Sequence, residues 1–533
     1  MAALKRLRSF GFGLLTAALA GGATNAPGVQ PLARLSRDAA IAEVLGKMRD
    51  IAPYGLLRID KVRIVDPVTE RVTPDSTIYV RDTRIVWTGK TVDAPKVADA
   101  IRIDGHGRFA VPGLTDMHIH SSRADGWLLN LAAGVTTVRD MDGFPWILRA
   151  RDQINAGKML GPTDYVAGTI IAAEPLDGYA VVVANPADAR RAVRQQAACG
   201  YDFIKVHNAL RQAQFDAVAE QAHALGMDLV GHVPHDISLD HALHVGRMRT
   251  TEHLKGFLID QTLLPSDEDY KTALAGTETW ITPTLYTRRV YGGGWAPAFM
   301  VSRLPAYAPP EVRLSWRQQL AHPDQEQLAL GVRFRNTQEI VMQRLKPLKP
   351  HWLTGTDAEG YPFNVMGFAL LDELGLMQSE GLSAADVFRA STVEAAAAMH
   401  ESGEFGVIAK GYRADLLLLD ANPLQDLSAL NNNQGVMVHG HWLDRQMLDK
   451  ALTDLATIYS DAWPVPPMSA ANERELINRL VSAQAGGFVF DDGALVKVAD
   501  ALTKAGQTSL AASVRSLMSV SSGSTCFVRP PAD

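Results

Sequence analysis

From Val111 onward the chain alternates short apolar runs with stretches of helical periodicity, and this alternation constrains the fold more than any other feature of the sequence. Eight runs read as strands: 114–120, 135–141, 164–171, 203–207, 229–233, 250–254, 280–285 and 352–357. Helical stretches at 187–198, 212–225 and 239–245 lie between them. Strand and helix in strict alternation build a parallel α/β architecture, and eight such units over residues 112–401 predict a (β/α)8 TIM barrel. Residues 286–350 are long for one connection and contain Gly292-Gly293-Gly294 and Pro309-Pro310, so they read as an inserted lid or wall.

The flanks have a different rhythm. Runs at 57–65, 76–80 and 84–88 alternate apolar and polar residues, with turn signals Asp66-Pro67 and Arg81-Asp82 between them. Strand character returns at 411–420 and 435–442, with a turn at Gly440. Neither half can bury a core alone, so residues 51–111 and 402–452 are expected to form one small composite β-sandwich built from both ends of the chain. A linker with a helix at 41–48 occupies 27–50, and a further helix is expected at 382–399. Residues 453–533 read as a C-terminal helical extension with a Ser-rich, Pro-ended tail, to which no chemistry is assigned.

Lys5, Arg6 and Arg8 precede an apolar run from Phe10 to Ala20, and small residues follow through Ala26. This order is that of a signal peptide over 1–26, so an exported protein, periplasmic or secreted, is expected. The run is short for a bilayer and no cysteine follows it, so no permanent membrane anchor is expected. A net charge of −6 gives no electrostatic reason for a nucleic-acid partner. The two cysteines, Cys199 and Cys526, can pair in an oxidising compartment, but they make neither a disulfide framework nor a thiolate zinc site. Whether the chain forms a homo-oligomer stays open.

In a barrel of this kind the chemistry lies at the C-terminal ends of the strands. His118 and His120, at i and i+2 on one strand, project to the same side and can reach one ion together. Lys205, His232, His253 and Asp357 stand at the ends of strands four, five, six and eight. Each alone has an ordinary explanation: a hydrogen-bonded histidine, a solvated lysine, an aspartate capping a helix. Independent ordinary causes do not put all six at the same end of one barrel. Imidazole and carboxylate donors suit zinc best, with manganese, cobalt or iron as alternatives.

With these residues assembled, the chain resembles the amidohydrolase superfamily, in particular its binuclear members with a carboxylated lysine on strand four. The resemblance covers residues 55–450, including Gly411-Tyr412-Arg413-Ala414-Asp415 and Asp420-Ala421-Asn422-Pro423-Leu424 of the composite β unit. Phe203-Ile204-Lys205-Val206, Gly231-His232-Val233-Pro234 and Glu252-His253-Leu254 are similar to the imidodipeptidase, Xaa-Pro dipeptidase-like and ochratoxin-hydrolysing amidase branch. Relatives there often carry Tyr where this chain has His207, a departure that bears on the substrate pocket rather than on the metal ligands.

The resemblance implies two divalent ions, zinc being the best suited to the chemistry of the donors. His118, His120 and Asp357 would hold the more buried ion and His232 and His253 the other, with a carbon dioxide-derived carbamate on Lys205 bridging them. A buried lysine can be neutral and take up carbon dioxide. Two ions activate a shared water as hydroxide, and Asp357 is the expected catalytic base and then acid at the leaving nitrogen. The substrate implied is a small amide: an N-acyl amino acid, a dipeptide or an aryl amide. Lactone or phosphotriester hydrolysis on the same metals is the alternative, and a non-catalytic barrel would be marked by lost ligands, of which none is missing. His207, Arg139, Tyr286 and Arg288 are the expected substrate contacts, with an ion pair to Asp140 or Asp116 as the structural alternative for Arg139. His235, His241 and His244 read as surface residues.

Overall fold

The computed structural model describes residues 29–176, 180–258, 264–287, 296–359, 362–461, 470–504 and 506–518. The expected signal peptide, Arg288, Gly292 to Gly294, Cys526 and the Ser-rich tail lie outside the described residues. In chain order the first strands are β1 (Leu56–Val65), β2 (Val72–Arg81), β3 (Arg84–Lys90), β4 (Ile101–Asp104), β5 (Phe109–Pro112), β6 (Leu114–Ile119), β7 (Val135–Asp140), β8 (Thr163–Val166) and β9 (Ile170–Ala172). They are followed by β10 (Ala180–Val182), β11 (Phe203–Val206), β12 (Asp228–Gly231), β13 (Thr250–Glu252), β14 (Trp280–Thr282), β15 (His351–Trp352), β16 (Leu416–Leu419), β17 (Gly435–Val438) and β18 (His441–Asp444).

Strands from both ends of the sequence hydrogen-bond into one eight-stranded sheet, ordered β18-β17-β16-β5-β1-β2-β3 with β4 beside β1. β5 meets β16 antiparallel, Pro112 opposite Leu416 and Val111 opposite Leu417. Alternation along β16 divides its four leucines between two cores. Leu416 and Leu418 face Ile59, Ile78 and Trp442 in the sheet's own cluster; Leu417 and Leu419 join Val111 and Leu114 in the main core. Gly113 carries the chain from this sheet into β6, where a Cβ would lie 2.0 Å from Thr136 Oγ1. Only glycine permits that approach.

The remaining strands form two parallel sheets, β10-β9-β11-β12-β13-β14-β15 and β6-β7-β8. Parallel bridges join them at both margins, Ala167 to Phe203 on one side and Ile119 to Ala358 on the other. The expected third strand, 164–171, is two strands. Val166 still pairs with Asp140 of β7, whereas Ala167 already pairs with Phe203, so the chain breaks where it changes partner. The eighth is regular only over His351–Trp352, and its continuation to Asp357 is held by β6: Met117 N–H donates to Thr354 O at 2.9 Å and Asp357 N–H to His118 O at 2.7 Å.

Helices differ from expectation in extent. The first runs over Val29–Ile51 rather than 41–48. The stretch 382–399 is two helices, Ala384–Ala390 and Val393–Ala398, interrupted where Ser391 and Thr392 turn their hydroxyls back onto Phe388 O. Residues 239–245 give only a five-residue π-helical turn, His241–Val245. The insertion contributes helices Ala296–Val301, Pro310–Ala321 and Gln325–Leu345, and the C-terminal region Arg445–Ile458, Ala470–Ala485, Asp492–Lys504 and Thr508–Ser516. That region packs on helix Asp125–Ala133 through Phe488, edge-on to Trp127 at 5.9 Å. Cys199 is disulfide-bonded. Among the described residues no helix is long and apolar enough to cross a membrane.

Candidate metal centre

All six predicted ligands converge at the C-terminal ends of the parallel strands, and all are buried. Asp357 is the hub. Its Oδ1 lies 2.9 Å from His120 Nε2 and 3.3 Å from His118 Nε2, and its Oδ2 lies 3.7 Å from His253 Nε2. Lys205 Nζ is 3.3 Å from His118 Nε2. One donor atom each from His118, His253 and Asp357 falls within 4.8 Å of the others, the spacing of ligands around one ion. His232 reaches the group through its ring, 4.8 Å from that of His253. The tightest triad therefore takes one histidine from each of the two ligand sets expected from the sequence.

Hydrogen bonds on the far side of three rings fix which nitrogen faces inward. His118 Nδ1 is 2.8 Å from Glu252 Oε2; a carboxylate only accepts, so Nδ1 carries the proton. His232 Nδ1 donates to Asn208 Oδ1 at 2.7 Å. His253 Nδ1 donates to Thr284 Oγ1 at 2.6 Å, because the Thr284 hydroxyl itself donates to Pro283 O. In each case the Nε2 lone pair is left directed at the centre, the arrangement by which outer groups orient imidazole ligands. His232 Nε2 has no hydrogen-bond partner among the described residues.

Burial sets the electrostatics. It pushes the Lys205 ammonium down, against the pull of Asp357 and Glu252, and with the Lys205 charge it lowers His120 to about 4. Burial works the other way on Asp357, but His253 and His118 outweigh it and hold that carboxyl well below the usual range. Burial likewise holds the His232 imidazole well below its ordinary value, so His120 and His232 are kept neutral and Asp357 ionised, the protonation states a divalent ion requires. Two ligands also sit on left-handed backbone, His253 at φ 59° and Asp357 at φ 57°. Such geometry in non-glycine residues is held only by surrounding structure and clusters at functional sites. Gly355 permits it for Asp357, since a Cβ there would lie 2.9 Å from His118 Cβ.

The predicted substrate contacts fare differently. Arg139 is buried and pairs with Glu252 rather than with Asp140 or Asp116. Its side chain reaches from β7 to β13 and β6, donating from Nη2 to Glu252 Oε1 at 2.7 Å and from Nε to Met117 O. Asp140 lies next to it in the strand and so on the opposite face, where it accepts from Ser121 N–H. Arg139 therefore fixes Glu252, which fixes His118. Tyr286 is buried and its hydroxyl donates to Phe363 O at 2.8 Å. His207 lies against His232 with ring centroids 4.4 Å apart and planes tilted by 38°, and neither His207 ring nitrogen has a hydrogen-bond partner among the described residues. His241 bonds Asp216 at the surface.

Glu252, Asn208 and Thr284 were not anticipated. Glu252 precedes His253 by one residue, so strand alternation would send the two to opposite faces; the left-handed turn at His253 brings both inward. Thr250, two residues before Glu252, donates to it at 2.5 Å, which is the same-face spacing that could have revealed it.

Residues 109–443 match the model of the Amidohydrolase family. Over 62 residues the chain is 39% identical to an imidazolonepropionase of Micrococcus luteus, a match covering 12% of this chain and 15% of that relative. Among solved structures, a bottromycin amidohydrolase superposes with a TM-score of 0.66 at 25% identity, over 80% of this chain and 96% of its own. A candidate prolidase from Bifidobacterium longum gives 0.61 at 23%, over 81% and 100%. A Xaa-Pro dipeptidase with methionine bound in its active site gives 0.56 at 23%, over 73% and 100%. With the family model spanning well over half of its length, this chain belongs to the amidohydrolase family.

Proposed function

We propose that the chain is an exported, binuclear metal-dependent amidohydrolase that cleaves the amide C–N bond of a small N-acyl amino acid, dipeptide or aryl amide. The parallel strands are read as a closed (β/α)8 barrel on the strength of the two marginal bridges. The reading is carried by one observation: the Nδ1 atoms of His118, His232 and His253 are all engaged outward. Their Nε2 atoms are thereby directed toward Asp357 and Lys205. His118, His120, His232, His253 and Asp357 would hold two ions, with Lys205, carboxylated by carbon dioxide, between them. Divalent ions bound there supply an activated water and a polarised substrate carbonyl.

The residues of the chain do the rest. Asp357 takes the proton of the attacking water on a carboxylate oxygen and delivers it to the leaving nitrogen, so the amine departs neutral. His207, set against His232, faces the same space with both ring nitrogens available to a substrate polar group. Export is supported by the basic, apolar and small-residue order of residues 1–26 and by the disulfide at Cys199. The test is hydrolysis by metal-reconstituted protein of a panel of dipeptides and N-acyl amino acids beside lactones and phosphotriesters. Turnover of the amides is expected. Lactones or phosphotriesters turned over while every amide is left intact would overturn the reading.

A further inference from the structure

The loops that carry the ligands of strands one and eight are tied together just beyond those ligands. His120 N–H donates to Ala358 O at 2.5 Å. Three residues past His120, Arg123 Nη2 pairs with Glu359 Oε1 at 2.5 Å, and Glu359 lies two residues past Asp357. Arg123 Nε also reaches Asp125 Oδ1 at 3.3 Å, and Ser122 donates to Glu359 from both its N–H and its hydroxyl. The side chains of Asp125 and Glu359 are almost wholly buried, at 0% and 7% exposed. No substrate role is needed to explain this pair.

Two distant parts of the chain reach the same loops. On helix Val29–Ile51, Arg34 Nη2 donates to Ser122 O at 2.8 Å and pairs with Asp491 at 2.8 Å; it also pairs with Asp38. From the C-terminal helical region the buried Tyr459 hydroxyl meets Asp125. Next to Asp491, Asp492 pairs with Arg149 of the barrel at 2.7 Å. Asp38, Asp125, Glu359 and Asp491 thus surround Arg34 and Arg123 in one largely buried network. Removing one member of such a network leaves an uncompensated buried charge, which the loops relieve by moving.

We propose that the Arg123–Glu359 pair is a clamp of positioning residues that sets the separation of His120 and Asp357 for an ion, and that the first helix and the C-terminal helical region brace it from behind. The proposal rests on the metal reading of the site. It gives those two terminal regions a part in the metal centre.

Titration of the metal-stripped full chain with Co2+, followed by visible absorption, tests it. Arg123→Gln and Glu359→Gln are each expected to weaken Co2+ binding by about 10–100-fold and to change the absorption envelope, the size of effect known for outer groups that orient ligands. The double variant is expected to be no worse than the singles, as for two residues acting as one unit. Arg37→Gln, on the same helix as Arg34, breaks the pair with Glu311 of helix Pro310–Ala321 and makes no bond to the loops; it is expected to alter thermal stability and leave Co2+ binding unchanged. If Arg123→Gln does not fold, Arg34→Gln decides, with a smaller loss in the same direction expected. Binding and spectra unchanged from wild type in these variants would overturn the clamp alone. A wild-type chain that binds no divalent ion would overturn the metal reading, and the clamp with it.

Discussion

The two ends of the same parallel strands are built on opposite rules. At the end away from the candidate metal centre a set of polar side chains is tied to partners within the protein. Trp280 Nε1 donates to Glu394 Oε2 at 2.8 Å, His351 Nδ1 approaches the same oxygen at 3.1 Å, and the Arg249 guanidinium lies 4.2 Å over the Trp280 ring while donating to the carbonyls of Ala397 and Ala398. His400 pairs with Asp228 at 3.0 Å. At the ligand end, His207 and the inner nitrogen of His232 are buried without hydrogen-bond partners among the described residues, and two ligands sit on left-handed backbone. Polar groups left buried and unmatched cost stability, so the first end is made for holding and the second for binding.

That contrast can be broken in order of effect. Asp357→Asn keeps the shape of the hub and removes its charge and its proton acceptor. Turnover is expected to fall by about 10²–10⁴-fold, the range for loss of a general base, with the thermal midpoint little changed; steady-state kinetics beside calorimetry check both. At the opposite end the pattern reverses. Glu394→Ala leaves the Trp280 N–H without its acceptor and is expected to cost about 1–3 kcal/mol in urea unfolding while kcat stays within twofold of wild type. A loss of kcat there would dissolve the division between the ends.

A third effect is one of pH. Burial raises Glu373, which accepts from Leu285 and Tyr286 N–H, from 4.5 to about 8. Between those values the folded chain keeps a proton that the unfolded chain has released, so stability falls as pH rises through the window and levels off above about 8. Glu373→Gln cannot titrate, and its advantage over wild type in chemical denaturation should grow from pH 5 to pH 8. An advantage that is flat across that range would mean the carboxylate is already ionised at the acid end.

The candidate ligands were legible because they are rare residue types placed at the ends of apolar runs, and apolar runs are a local signal. What holds those candidates was not, because it runs between strands distant in sequence. Arg139 and Glu252 meet from strands 113 residues apart, and Glu252 meets His118 across 134; no periodicity within a window of a dozen residues carries such a pairing. The break in the third strand and the short ladder of the eighth were missed for a related reason. Both are set by which neighbour the backbone bonds, not by the hydrophobicity of the segment itself. The clamp residues Arg123 and Glu359 are charged residues of an ordinary kind in loops, and nothing in the sequence distinguishes them from solvated ones.

The interleaved sheet has a consequence for the order in which the molecule can come into being. β5 has its antiparallel partner in β16, and the seam is reinforced by contacts such as Arg108 to Asp420, 312 residues apart. At about 5–20 residues per second, tens of seconds of synthesis separate the two sides of that seam. Until β16 emerges, β5 presents an open edge and the leucines that join the two cores are missing. A layer that joins the first strands of the sequence to β16, β17 and β18 is therefore completed only once residue 444 has been made.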